Sequence, residues 1–474
     1  MVLNKNKMKI AFHGAAGSVT GSKHLISLNN GKKILLDCGM FQGMGKETDK
    51  LNRRFGFKAS EVSYVFLSHA HVDHSGLLPL LVKEGFSGKI YATLPTIEIT
   101  KALLLDSARI QQNDILFVNK KRKEEGKPPL EPLYTEEDAK KTFDLFVVVN
   151  YENPTQIDND IELIFFDAGH IIGSATTYVT LTENGKKTNV VFSGDVGRYG
   201  NPLLLSPRSF PQADYIIIES TYGSKLHEPT GTYANELKKN IQETCIGKKG
   251  KLIIPAFSVG RTQELVYALN ELELKGELPD IAYYVDSPLA ITITEIVKKH
   301  PECFNRNVQK VMKTDADPFD FRGLKYIMDK RKSQALNTDY RPCVIISASG
   351  MAEAGRVKHH IANSIENWRN TILLIGYCEP ESLGARLKKR PEVVGIFGNQ
   401  CAVKAGIKTI DSMSAHADYN DMSQYLACQD AKSVKQVFVV HGEPEAQTVF
   451  KQRLIKKGFG DVIIPKMHQE FGLC

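Results

Sequence analysis

No two of the eight cysteines are spaced as C-x-x-C; Cys38, Cys245, Cys303, Cys343, Cys378, Cys401, Cys428 and Cys474 lie scattered along 474 residues. That scatter argues against a zinc finger or a disulfide framework and fits a reducing compartment. No apolar run approaches the ~20 residues of a membrane helix, so no membrane partner is expected. Residues 1–7 lack the apolar core of a signal peptide, and the expected location is the cytoplasm. There is no G-x-G-x-x-G fingerprint and no Walker loop, so nothing supports a nucleotide cofactor. Neither an internal repeat nor a low-complexity tract occurs. What remains is an ordinary globular composition, 42% hydrophobic and 24% charged. The length implies two domains of roughly 200 residues each. The formal net charge of +7 fits a polyanionic partner, although many enzymes are as basic.

Against this background one stretch stands out, Ser68-His69-Ala70-His71-Val72-Asp73-His74-Ser75-Gly76. It follows the apolar run Tyr64-Val65-Phe66-Leu67, so a strand ending there would deliver its side chains onto a loop. Imidazole and carboxylate are the ligands a catalytic zinc prefers. A lone histidine is usually a satisfied core or surface residue, but a cluster this dense reads as a metal site. His69 and His71 alternate with Ala70 and can point the same way; Asp73 and His74 follow the turn and can face a second point. Two ligand sets imply two metals.

Other short apolar strands stop beside single ligand-type residues. Residues 33–37 end on Asp37, where a carboxylate can orient a metal-bound histidine. Residues 161–166 lead to Asp167-Ala168-Gly169-His170, and residues 190–192 to Ser193-Gly194-Asp195. In register with the cluster, His69, His71 and His170 would hold one zinc, Asp73 and His74 the other, and Asp195 would bridge them. The small-residue loop from Gly14 to Ser22 is either a phosphate contact or a flexible turn. Residues 96–117 carry a helical pattern, Lys120 to Pro129 reads as a solvated loop or helix end, and Thr135 with Asp138 is placed to cap a helix.

From about residue 209 strands alternate with helices, which implies a parallel sheet covered on both faces, with ligands at the carboxyl ends of its strands. Ser258-Val259-Gly260-Arg261 at a helix start is a candidate phosphate contact through free N–H groups and a guanidinium. Ser349-Gly350-Met351 is a similar, weaker candidate. For both, a purely structural turn is the competing reading. Histidines return near the end, His416 after residues 410–413 and His441 after residues 437–440.

Asp37, the 69–74 cluster, His170 and Asp195 resemble, in order and context, the first four motifs of the metallo-β-lactamase superfamily. The inserted layer with Glu219, His416 and His441 is similar to its β-CASP branch, which includes RNA-processing nucleases. The resemblance covers nearly the whole chain. It implies an α/β fold: a metallo-β-lactamase αβ/βα sandwich over residues 1–208 and 414–474, with a Rossmann-like β-CASP domain inserted over 209–413. It also implies two zinc ions, with His441 completing the second ligand set, Glu219 as the acidic residue of the first cassette motif, and His416 as the catalytic histidine. The spacing from His416 to His441 is about three residues longer than the family pattern, and the extra length falls in the polar stretch 428–435.

The expected activity is hydrolysis of single-stranded RNA, endonucleolytic, leaving a 5′-phosphate and a 3′-hydroxyl. Asp73, His416 and Glu219 are the expected catalytic residues. Three rivals stand beside it. A small-molecule metallohydrolase would not need the inserted layer. A DNA nuclease would carry an apolar residue in place of His441. A non-catalytic scaffold would have lost ligands. A second copy of the chain and an RNA-targeting protein partner both remain open.

Overall fold

The computed structural model describes residues 8–45, 47–228, 233–376, 378–379, 381–410 and 412–473. The readings of residues 1–7 and Cys474 lie outside it. The chain divides into two compact units, one of residues 1–199, 206–226 and 416–474, the other of 200–205 and 227–415.

The first unit is built on two seven-stranded sheets. One runs in the order Gln469–Gly472, Lys9–Phe12, His24–Ser27, Lys33–Leu36, Tyr64–Phe66, Lys89–Ala92, Phe146–Val148. The other runs Val462–Ile463, Gln436–Val439, Tyr215–Ile218, Lys186–Phe192, Ala175–Glu183, Ile161–Asp167, Thr155–Asp158. Alternation decides which side chains meet between them. Ile10, Phe12, Ile26, Ile34 and Leu36 of the first sheet pack against Leu163, Phe165, Val179, Leu181, Val190 and Phe192 of the second. Their outer faces carry separate cores. Leu35, Val65 and Leu67 meet the helical residues Leu78, Leu81 and Leu104, and Ile216, Ile218 and Val439 meet Met422, Phe450 and Leu454. Helices outside two apposed sheets make the four-layer sandwich expected from the sequence.

The second unit holds a six-stranded, wholly parallel sheet in the order Leu324–Tyr326, Ala282–Val285, Cys343–Ser347, Lys251–Pro255, Thr371–Ile375, Gly406–Ile410. Its central strands Lys251–Pro255, Cys343–Ser347 and Thr371–Ile375 are buried at every position, as a sheet covered on both faces requires. A separate antiparallel pair joins Val393–Ile396 to Asn399–Ala402.

Several local expectations met a different outcome. The strand Tyr215–Ile218 was read as the first of the inserted layer. It pairs instead with Lys186–Phe192 and Gln436–Val439 inside the sandwich. The strand read over 410–413 is Gly406–Ile410, and it closes the second unit's sheet. His416 therefore lies six residues past a strand rather than at its end. The helical pattern over 96–117 extends over Leu94–Glu124 and absorbs Lys120 to Lys123, whose side chains stay on the surface. Thr135 and Asp138 form the reciprocal capping box. The seven described cysteines are all free. Among the described residues no helix is long and apolar enough to cross a membrane.

Candidate metal centre

Three strands deliver ligands to one point. Tyr64–Phe66 leads into His69 and His71, Ile161–Asp167 into His170, and Lys186–Phe192 into Asp195. His69 Nε2 and His170 Nε2 stand 3.1 and 3.2 Å from His71 Nδ1. Two ligands at ~2.05 Å from a tetrahedral ion are separated by about 3.3 Å, so these nitrogens outline the edges of such a site. A second set, Asp73, His74 and His441, lies beside it. There His74 Nε2 and His441 Nε2 face each other at 3.2 Å, and Asp73 Oδ2 is 3.5 Å from His441 Nε2.

Asp195 joins the two sets with one oxygen each. Its Oδ2 is 3.4 Å from His69 Nε2 and 3.5 Å from His170 Nε2. Its Oδ1 is 3.2 Å from His74 Nε2 and 3.6 Å from His441 Nε2. That Oδ1 is buried and has no hydrogen-bond partner among the described residues, a costly state unless a cation takes its lone pairs. Five imidazoles and two carboxylates, with no thiolate, fit a pair of divalent ions such as zinc.

The titration of the first ligand set agrees with that use, whereas Asp195 and Asp37 outweigh burial at His74 and raise its pKa. Burial pushes His69 down to about 3 and His71 to about 4, and holds His170 well below its usual value. These rings are neutral at pH 7, as ligands must be. Burial opposes ionisation of Asp195, yet His441, His74 and His69 outweigh it and keep the carboxylate charged.

Groups behind the ligands hold them in place. Asp37 accepts from Ser68 N and Ser68 Oγ, both at 2.7 Å, and from His74 Nδ1 at 2.6 Å. This fixes the tautomer that leaves His74 Nε2 free to bind. Thr221 Oγ1 lies 3.1 Å from His441 Nδ1 and does the same there. The sequence assigns no role to Ser68 or Thr221; Ser68 opens the histidine stretch and Thr221 lies two residues past Glu219. The loop from Gly14 to Ser22 proves to be a prop, accepting from His441 N at Ala15 O (2.7 Å) and from Gly442 N at Ser18 O (3.2 Å). Close approach explains Gly39: a Cβ there would fall 1.6 Å from Asp73 O.

His416 sits at the rim, one-fifth exposed. An isolated bridge to Gly197 carries it into the site. Its Nδ1 lies 3.2 Å from both oxygens of the buried Glu219 and 3.9 Å from Asp195 Oδ2. Burial would lower its pKa, but Glu219 and Asp195 outweigh it and raise it to about 9. The imidazole carries its proton at neutral pH.

The chain aligns with ribonuclease TTHA0252 of Thermus thermophilus at 32% identity over 451 residues, covering 95% of this chain and 97% of that one. It belongs to the metallo-β-lactamase superfamily, β-CASP branch. Three family models match in chain order: "Metallo-beta-lactamase superfamily" over residues 22–231, "Beta-Casp domain" over 262–387, and "Zn-dependent metallo-hydrolase RNA specificity domain" over 401–465. An RNase J-like protein of Methanocaldococcus jannaschii is 30% identical over 437 residues, 92% of each chain. Transcription termination factor FttA of Methanosarcina mazei is 30% identical over 435 residues, 90% of this chain and 65% of that one. A solved structure of a protein of unknown function from Enterococcus faecalis shares the fold at 11% identity, with TM-score 0.52 over 98% of this chain and 100% of that one.

Within this β-CASP chain the phosphate candidates of the second unit fare unequally. Ser258 and Ser349 are partly exposed near the ends of Lys251–Pro255 and Cys343–Ser347, and Gly350 packs against Phe257 so closely that a Cβ would meet the ring at 2.7 Å. Arg261 is a correction. Its side chain is 8% exposed and is ion-paired with Glu264 one turn along the same helix. Its charge is matched by a buried carboxylate and is not offered to a phosphate.

Proposed function

We propose that the chain is a metal-dependent ribonuclease that hydrolyses phosphodiester bonds within single-stranded RNA in the cytoplasm, leaving 5′-phosphate and 3′-hydroxyl ends. The observation that carries this reading is the juxtaposition of two ligand sets, shared through Asp195, with a protonated His416 beside them. Relatives named as ribonucleases over nearly their whole length support the substrate class.

Two zinc ions held by His69, His71, His170 and by Asp73, His74, His441, with Asp195 between, would supply an activated water and offset the charge of the phosphate. The chain's own residues do the rest. Asp37 and Thr221 orient His74 and His441 so that their free nitrogens converge. Asp73, held charged by His441 and His74 against its burial, is placed to orient the attacking water. His416 donates its Nε2 proton to the departing 3′-oxygen, while Glu219 keeps Nδ1 protonated and the ring in position. Ser258, Ser349 and Gly350 are the remaining candidates for phosphates further along the strand. Cleavage assays on end-labelled single-stranded RNA, single-stranded DNA and a chromogenic thioester test the reading. RNA cut internally to 5′-phosphate products is the expected result; turnover of the thioester alone would overturn it.

A further inference from the structure

In the second unit, the pair Val393–Ile396 and Asn399–Ala402 closes on a two-residue loop, because Ile396 lies opposite Asn399. Both loop residues have positive φ, 51° at Phe397 and 80° at Gly398. Hairpins with loops this short favour that conformation, and Asn, Asp or Gly adopts it far more readily than a phenylalanine. A bulky residue kept there against its preference points to a use for its side chain.

Phe397 is 51% exposed. It stacks on the imidazole of His359, with centroids 4.6 Å apart and planes inclined by 29°. Lys358 Nζ stands 5.3 Å from the same ring centre, donates to Glu353 O at 3.0 Å and is ion-paired with Glu353 Oε2 at 3.4 Å. Burial and then the neighbouring His360, Lys330 and Lys358 lower the His359 pKa, so it stacks as a neutral ring. Around the pair the surface is polar: Gly398, Asn399 and Gln400 are all exposed. A protein-docking hot spot would need an apolar surround that excludes water. A nucleobase needs only a flat aromatic face and a nearby cation, and every base offers a π-face.

His359 belongs to the helix Gly355–Ser364, which starts just past the Ser349-Gly350 loop; Ala354 N, at the helix cap, donates to Ser349 Oγ at 3.4 Å. At about 1.5 Å per residue, His359 lies ~6 Å along the axis from the first helical residue. A strand with a phosphate at that loop would run toward the ring.

We infer that Phe397 and His359 form a stacking platform for a base of single-stranded RNA, with the Lys358 cation beside the ring. This rests on the ribonuclease reading and adds to it a contact away from the reacting bond. Phe397→Tyr, Phe397→Leu and Phe397→Asn, made in the full-length metal-loaded chain, test it through KM and kcat on a short labelled RNA. Hydrolysis of bis(p-nitrophenyl) phosphate, which has no base to stack, serves as the control.

Leu and Asn are expected to raise KM for RNA about five-fold or more. Tyr is expected to hold it within two-fold, and all three to hydrolyse the nitrophenyl diester like the parent. Asn, which suits the turn, is expected to raise the melting midpoint by about 2 °C, showing that its KM defect is not unfolding. An unchanged KM in Phe397→Leu overturns the platform, as does a KM kept by Leu and lost by Asn, which marks an apolar docking point instead. If the parent chain cleaves the nitrophenyl diester but no RNA, the ribonuclease reading has failed. If RNA is cut and Phe397→Leu matches the parent, only the platform has failed.

Discussion

Glu219 places both carboxylate oxygens 3.2 Å from Nδ1 of His416, and its Oε1 also accepts from Val196 N at 2.6 Å. The carboxylate is thus anchored before it orients the ring. Removing a general acid typically costs ~10²–10⁴-fold in rate. His416→Ala is therefore expected to keep its metals and slow RNA cleavage to that extent, while sparing bis(p-nitrophenyl) phosphate, whose leaving group needs little protonation. Glu219→Gln is expected to show a milder form of the same split. Because Asp195, Glu219 and His416 also lie close enough together to hold an ion, the metal content of His416→Ala is decisive: its loss would make His416 a ligand.

Asp195 presents one oxygen to each ligand set. Asp195→Asn is expected to weaken both metals together, and His441→Ala mainly the second. Metal analysis of the purified variants checks this, and an Asp195→Asn chain retaining the full complement would contradict it.

Asp37 takes three hydrogen bonds while fully buried. Its amide replacement turns one acceptor into a donor facing Ser68 or His74. Asp37→Asn is expected to lower metal affinity by ~10–100-fold, the usual cost of losing such a partner. Competition with a graded chelator reads this directly.

Exhaustive removal of metal from the parent chain is expected to abolish hydrolysis and also to lower the melting midpoint. The facing imidazole nitrogens at 3.1–3.2 Å lose the ion that pays for their convergence. Full activity after removal would sink the metal-dependent reading.

Lys23 offers a test by pH. It is fully buried, its Nζ donating to Gly21 O at 2.9 Å and Gly39 O at 2.7 Å, and burial lowers its pKa to about 7. The unfolded chain holds this proton up to about pH 10.4. The resulting penalty on folding is full below pH 7 and fades as pH rises toward 10. Lys23→Met is expected to gain stability relative to the parent at pH 6 and to lose most of that advantage by pH 9.5, read by denaturant unfolding.

The sandwich and the clustering of the candidate ligand side chains were legible because strands of three to seven residues stop just before histidines and carboxylates, and such endings leave a mark in the sequence. His69, His71, Asp73, His74, His170, Asp195 and His441 lie in two facing groups in the structure. What stayed hidden depended on distant partners. The exception is Arg261, whose partner Glu264 stands three residues on, at the spacing of neighbouring side chains on a helix. The placement of Tyr215–Ile218 depends on Gln436–Val439, more than two hundred residues away. The sequence puts His416 at a strand end, whereas the structure holds it by an isolated bridge to Gly197, which has no sequence signature.

The strand Gln436–Val439 that ends at His441 enters its sheet beside Tyr215–Ile218 only after the 227–415 excursion. During synthesis on the ribosome the chain therefore exists for a long interval with His69, His71, His170 and Asp195 already made, and neither His416 nor His441. In that interval the first candidate ligand set is whole, whereas the second has Asp73 and His74 but lacks the histidine that faces them. The second set and the Glu219–His416 pair are thus completed only after the inserted unit has been made.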